Sequence, residues 1–211
     1  MNLESIYKAV LDGDAGTTAE EVQVALDAGI ASEEILTKGC IAAMSEVGRL
    51  FELGEKFVPE MLISARAMQA GMNLLRPYLA EQDFEATGKV LIGTVAGDLH
   101  DIGKNLVGMM MEGGGFEVVD LGSDVRPERF VDAVQEHEPD VVAMSALLTT
   151  TMPSMTATID ALTDADLRDQ VKVMVGGAPV TQAFADKINA DGYAADASSA
   201  TRKAKELLGK A

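Results

Sequence analysis

The chain holds two histidines among 211 residues, and one of them stands in a segment suited to metal coordination: Gly97-Asp98-Leu99-His100-Asp101-Ile102-Gly103-Lys104-Asn105. An imidazole has two ring nitrogens. A carboxylate that accepts the N–H of one fixes the tautomer and leaves a lone pair on the other, which prepares the ring as a metal ligand. Asp98 and Asp101 flank His100, and Asp98 is the expected holder. A plainer reading of the same segment has Asp98 capping the next helix and His100 as an ordinary loop histidine. Further along, Ser145-Ala146-Leu147 offers a hydroxyl, Thr151 offers another six residues later, and Gly176-Gly177 offers backbone without side chains. Paired glycines either make a tight turn or clear Cβ atoms from the path of a bulky group.

For these segments to act together, the fold must bring them to one edge. From residue 88 onward short apolar runs recur at Val90-Leu91-Ile92-Gly93-Thr94-Val95, Glu117-Val118-Val119-Asp120-Leu121, Val141-Val142-Ala143-Met144-Ser145 and Val171-Lys172-Val173-Met174-Val175, separated by amphipathic stretches of helical length. Continuous apolar runs alternating with helices predict parallel strands covered on both faces, hence an α/β domain with a doubly wound sheet. A short fifth strand near Gly192-Tyr193-Ala194 and a last helix to about Leu208 complete a flavodoxin-like five-stranded order. In such sheets ligands bind beyond the carboxyl ends of the strands. The loops Gly97 to Gly103, Ala146 to Thr151 and Gly176 to Pro179 all fall there.

Residues 3 to about 80 follow a helical rhythm instead, with breaks at Gly13-Asp14-Ala15-Gly16 and Gly29-Ile30-Ala31-Ser32. Met61, Ala65, Met68, Met72 and Leu75 share one face, with Pro59 in the first turn of that helix and Pro77 at its end. Four helices in a small antiparallel bundle bury such stripes most simply. The expected domains are therefore a helical bundle over 1–85 and a sheet domain over 88–211, joined by a polar linker over 81–88.

Composition narrows the function classes. Apolar residues at 47% and charged residues at 24% are globular values, while 4% aromatics and 12 Met predict aliphatic, thioether-rich cores. A formal charge of −17 repels nucleic acid and anionic lipid, so neither is an expected partner. The single Cys40 is expected to be a reduced, partly buried thiol, and the absence of a signal-like start or long apolar run predicts a cytoplasmic protein.

Spacing then adds what no single segment carries. Between Gly103 and Ser145 lie 41 residues, and between Leu147 and Gly176 lie 28. The three fragments match the Asp-x-His-x-x-Gly, Ser-x-Leu, Gly-Gly signature of cobalamin-binding domains. Residues 88 to 211 resemble the cobalamin domain of methionine synthase and residues 1 to 85 its helical cap, in which Arg49-Leu50-Phe51-Glu52-Leu53-Gly54-Glu55-Lys56-Phe57-Val58-Pro59-Glu60 is close to the family pattern. The two-domain length resembles the stand-alone corrinoid proteins of methyl transfer from methanol, methylamines, betaines and methoxy-aromatics.

The resemblance implies a cobalamin or related corrinoid bound base-off, with His100 as the lower cobalt ligand, Asp98 accepting its other N–H and Thr151 continuing the relay where the family more often has Ser. Asp101, Ile102, Gly103 and Thr149 would complete the cofactor's surroundings. Ser145, Leu147, Gly176 and Gly177 would line the slot for the displaced nucleotide tail, with Tyr193, Asp196 and Ala197 as its far wall. Phe51 and Val58 would shelter the methyl-bearing face, although both also suit the core of the bundle.

The implied function is a methyl carrier that accepts a methyl group on Co(I) from a substrate-specific barrel methyltransferase. It would donate that group from methyl-Co(III) to a second methyltransferase serving a folate, pterin or thiol, and a corrinoid reductive activase would be a further partner. The alternatives are a cobalamin-binding sensor, which usually adds a basic DNA-reading segment, and the small subunit of a cobalamin-dependent mutase, which generally lacks the cap. A phosphoacceptor domain using Asp98 or Asp101 would explain neither Ser145 nor Gly176-Gly177.

Overall fold

A computed structural model describes residues 3–81 and 86–210. These divide into two compact units, one comprising the residues up to 86 together with 113–115, the other comprising 87–112 and 116 onward.

The first unit is helical. It runs through α1 (Glu4–Asp12), α2 (Ala15–Asp27), α3 (Ser32–Glu34), a π-helical stretch (Ile35–Ile41), α4 (Ala42–Glu52) and α5 (Val58–Glu81). α3, the π stretch and α4 form one continuous helical run, so the chain makes four helical passes. Local chemistry explains the ends. Gly13 stops α1 with φ at 79°, a left-handed conformation glycine adopts at little cost. Asp14 then opens α2 by accepting the Thr17 amide at 3.0 Å. The stripe on α5 is buried at Met61, Ala65, Met68 and Leu75, and Met72 is half-buried.

Two expectations need correction. Pro77 does not end α5, which continues to Glu81. Proline removes the amide that would bond the carbonyl of Asn73, but Asn73, Arg76 and Pro77 are all exposed, so water can satisfy the freed carbonyl. Cys40 is fully buried rather than partly so, and burial pushes its thiol pKa up to about 12. Residues 82–85 of the expected linker lie outside the described residues, as do Met1 and Asn2.

The second unit is a five-stranded parallel sheet of order β2-β1-β3-β4-β5, with strands β1 (Lys89–Thr94), β2 (Glu117–Asp120), β3 (Val141–Ser145), β4 (Lys172–Gly176) and β5 (Gly192–Ala194). Helices α6 (Ile102–Gly113), α7 (Pro127–His137), α8 (Pro153–Asp164), α9 (Gln182–Lys187) and α10 (Ala197–Leu207) follow the strands in turn. Alternation along each strand splits its side chains between two cores. Leu91, Val142, Met144, Val173 and Val175 pack with Phe130, Ala133, Met155, Ile159 and Leu162 of α7 and α8. Val90, Ile92, Val141, Ala143 and Met174 pack with Met111, Ala200 and Ala204 of α6 and α10. Gly93 interrupts the apolar run of β1 because a Cβ there would stand 2.8 Å from the ring of Phe130.

Register sets the edge that matters. Thr94, Ser145, Gly176 and Ala194 align across β1, β3, β4 and β5, so the loops after these strands open along one line. Among the described residues, no helix is long and apolar enough to cross a membrane.

Candidate functional site

At the carboxyl end of β1 the chain turns through Gly97, whose φ of 83° calls for glycine, and then buries the side chain of Asp98 completely. The carboxylate is fully used. Its Oδ1 lies 2.7 Å from Nδ1 of His100 and accepts the His100 amide at 3.1 Å. Its Oδ2 accepts the amides of Leu147 at 2.7 Å and Leu148 at 3.2 Å. The Thr151 hydroxyl stands 2.8 Å from Oδ2 and 2.9 Å from the carbonyl of Leu148, so its one proton can serve either acceptor.

The electrostatics follow from these bonds. Burial, the largest single influence, pushes the Asp98 carboxyl up. The amide of Leu147, the ring and amide of His100 and the hydroxyl of Thr151 together outweigh it and hold the group well below the usual carboxylate range. Asp98 is therefore ionised and can only accept. Neutral His100 must then carry its proton on Nδ1, which leaves the lone pair on Nε2. The His100 side chain retains 53% of its exposure, so that lone pair is presented at the surface of the unit rather than sealed in a core.

Asp98 does not cap α6, which begins at Ile102. It joins the loop after β1 to the loop after β3, so its carboxylate is not available as the cap of the next helix.

The loops that hold the imidazole also expose aliphatic side chains. Leu99 and Ile102 are 73% and 82% exposed, and Leu147 and Leu148 remain exposed as well. Solvent contact on this scale by four aliphatic side chains beside one histidine marks a face made to be covered. The backbone carbonyl of Asp101 accepts the Asn105 amide at 2.7 Å as α6 opens, and a Cβ placed on Gly103 would meet no atom within 4 Å. Thr149 is exposed on the loop after β3.

Farther along the edge, Gly177 has a φ of 125°, and a Cβ on it would lie 1.9 Å from the carbonyl oxygen of Ala146. A Cβ on Gly176 would lie 3.1 Å from the carbonyl of Ala194. At Gly177 the loop after β4 thus approaches the loop after β3 more closely than a side chain allows. Ser145 ends β3 between Thr94 and Gly176. Tyr193 lies in β5 and packs on the sheet core, Asp196 caps α10 through the Ser199 amide at 2.8 Å, and Ala197 is buried behind it.

The structure therefore gathers His100, Asp98, Leu147 and Thr151 by direct bonds, and Ser145, Gly176, Gly177, Tyr193, Asp196 and Ala197 along the same sheet edge. Phe51 and Val58 belong to the helical unit, where Phe51 is half-buried and Val58 exposed.

Sequence reasoning missed Leu148, whose amide is the third donor to Asp98 Oδ2, and Asp124, whose Oδ1 accepts the Gly97 amide at 2.7 Å. The turn-rich Gly122-Ser123-Asp124 marks a loop, but nothing local shows that it reaches a residue 27 positions away.

Known proteins match both units. A family model described as a B12 binding domain matches residues 88–202, and a second of the same description matches residues 3–76. The chain is 41% identical over 211 residues to a corrinoid protein of Desulfitobacterium hafniense, covering 99% of this chain and 98% of that one. It is 45% identical over 202 residues to a trimethylamine corrinoid protein of Methanosarcina acetivorans, covering 95% and 94%. Among solved structures, one chain of the methanol:cobalamin methyltransferase complex of Methanosarcina barkeri superposes with a TM-score of 0.88 at 30% identity, covering 99% of this chain and 80% of that one. An imidazole prepared on an apolar sheet edge and relatives matched along nearly the whole length lead to one assignment: the chain belongs to the B12-binding corrinoid proteins.

Proposed function

We propose that this chain is a methyl carrier that binds a corrinoid base-off and holds its cobalt from below through Nε2 of His100. The observation that carries the proposal is the His100–Asp98 contact at 2.7 Å, on a carboxylate held in its ionised form by four further donors.

The residues fit the group. Among the described residues no cluster of three or more His, Cys, Asp or Glu could hold a bare ion. A single imidazole suits a metal whose in-plane ligands come from a macrocycle. The exposed Leu99, Ile102, Leu147 and Leu148 suit the underside of such a ring, and Gly103 leaves room for it. Gly176 and Gly177 are proposed to line the slot for a displaced nucleotide tail, where a Cβ on Gly177 would collide with the backbone of Ala146 and one on Gly176 would crowd the carbonyl of Ala194. Ser145, Thr149, Tyr193, Asp196 and Ala197 are proposed as further contacts to that tail, and Phe51 and Val58 as the apolar shelter of the methyl-bearing face.

When bound, the corrinoid supplies the cobalt that carries the methyl group, and that chemistry belongs to the cofactor. The protein's share is the strength of the lower ligand. Asp98 makes the imidazole a better donor, and because it also takes the Leu147 amide and the Thr151 hydroxyl, the ring is held to one orientation. Relatives named for trimethylamine and methanol support small methylated compounds as donors and a methyltransferase as partner. A barrel-shaped methyltransferase is proposed to deliver the methyl group, a second methyltransferase to move it to a folate, pterin or thiol, and a reductive activase to rescue oxidised cobalt. The sensor alternative is not adopted, because the matched solved chain belongs to a methanol:cobalamin methyltransferase complex.

The test mixes purified protein with hydroxocobalamin, removes unbound cofactor and records the visible spectrum beside His100→Ala. Wild type is expected to retain corrinoid with an imidazole-ligated spectrum that His100→Ala lacks. Failure to retain corrinoid, or retention with the benzimidazole still on cobalt, would overturn the proposal.

A further inference from the structure

The loop that presents His100 is gripped from two sides by residues with no part in the chemistry proposed above. Thr94, the last residue of β1, is fully buried. Its amide donates to the carbonyl of Gly122 at 2.9 Å and its carbonyl accepts the Val125 amide at 2.9 Å, so its backbone is fixed in the sheet edge. From that fixed point its hydroxyl donates to the carbonyl of His100 itself at 3.0 Å.

Asp124 works from the loop after β2. Its Oδ1 accepts the Gly97 amide at 2.7 Å, and its own amide donates to the carbonyl of Asp98 at 2.9 Å. To do both it adopts a φ of 55°, a left-handed conformation that Asp and Asn enter more readily than most residues.

These bonds act on something the Asp98 carboxylate does not control. The contact to Nδ1 sets which way the ring points, but the height of the ring above the sheet edge depends on where the peptides on either side of it are anchored. Thr94 anchors the carbonyl after the imidazole, and Asp124 anchors the Gly97 and Asp98 peptides before it. Coordination is sensitive to displacements of a few tenths of an ångström, so a ligand held at one end only is a weaker ligand. We propose that Thr94 and Asp124 are positioning residues that set how strongly His100 binds cobalt, a proposal that rests on His100 being the cobalt ligand.

The test uses full-length protein loaded with cyanocobalamin and titrated with cyanide, which displaces the lower imidazole and gives a distinct dicyano spectrum. Thr94→Val keeps shape and loses the hydroxyl, and Thr94→Ser restores it. Asp124→Gly keeps the freedom to adopt positive φ and loses the acceptor, and Asp124→Asn retains a neutral one. Thr94→Val and Asp124→Gly are each expected to lower the displacing cyanide concentration about fivefold, as expected for loss of one ordinary hydrogen bond. Thr94→Ser and Asp124→Asn should stay within about twofold of wild type.

Thermal melting of the same samples separates positioning from stability. A lowered melting temperature with an unmoved cyanide midpoint would overturn the role of that residue, and Thr94→Ala substitutes if Thr94→Val gives no folded protein. If wild type itself titrates like His100→Ala, the fault lies with the cobalt ligation and not with the positioning.

Discussion

The carboxylate of Asp98 has to be an anion and has to be buried, and Asp98→Asn separates the two requirements. An amide can offer Oδ1 to Leu147 and Leu148, but its NH2 then faces Nδ1 of His100, which must become an acceptor. The ring proton moves to Nε2 and the lone pair leaves the nitrogen that would bind metal. The variant is expected to lose imidazole ligation while folding normally, at a stability cost of about 2 kcal/mol at neutral pH, as for loss of hydrogen bonds to a charged acceptor.

The pH dependence of that cost has a definite sign. Because the folded pKa of Asp98 is depressed, the stability it confers is present above the ordinary carboxylate value of about 3.9 and is lost as pH falls below it. Urea unfolding of the apoprotein should therefore show wild type and Asp98→Asn converging as pH is lowered from about 5 to 3. A constant gap would mean that the charge contributes nothing to folding. The His100–Asp98 partnership was legible two residues apart in sequence. The Leu147 and Leu148 amides were not, because a backbone donor has no side-chain signature.

At the level of elements, the legible part was the periodicity and the illegible part was how loops meet. Runs of Val and Ile announced β1 and β3, and the turn to helical spacing announced α7 and α8, since burial on one face or two leaves a pattern in composition. The π-helical stretch Ile35–Ile41 left no such mark, because its apolar spacing differs from that of an α-helix by less than one residue per turn. Pro77 misled for a related reason. A proline reports what its own amide cannot do, not whether water is available to the carbonyl it abandons.

Gly177 was visible as half of a paired glycine, yet only the structure shows why it is needed. A Cβ there would collide with backbone, not with a side chain that could rotate away. Gly177→Ala is expected to cost about 3 kcal/mol through displacement of the loops after β3 and β4, and to lower corrinoid affinity more than tenfold. Calorimetry and equilibrium dialysis check the two effects. An unimpaired variant would mean that this close approach has no part in holding the nucleotide tail.

Across the whole molecule, two compact units share one chain, and ligand binding should stabilise the one that carries the site. Free corrinoid at about a hundred times its dissociation constant adds roughly 2.7 kcal/mol, which for a protein of this size raises the melting temperature by about 5–10 °C. His100→Ala should show a smaller rise, and an equal one would mean that the imidazole adds nothing to cofactor affinity. The formal charge of −17 bears on partners rather than on fold.

Cys40 has a consequence of another kind. A protein that handles methyl groups in transferable form risks alkylating its own sulfur, and a thiolate would be the first casualty. This chain's lone thiol is sealed inside the helical unit and held protonated at neutral pH. It also becomes a built-in clock: a thiol-specific dye can label Cys40 only during the moments when those helices come apart, so the labelling rate counts their openings.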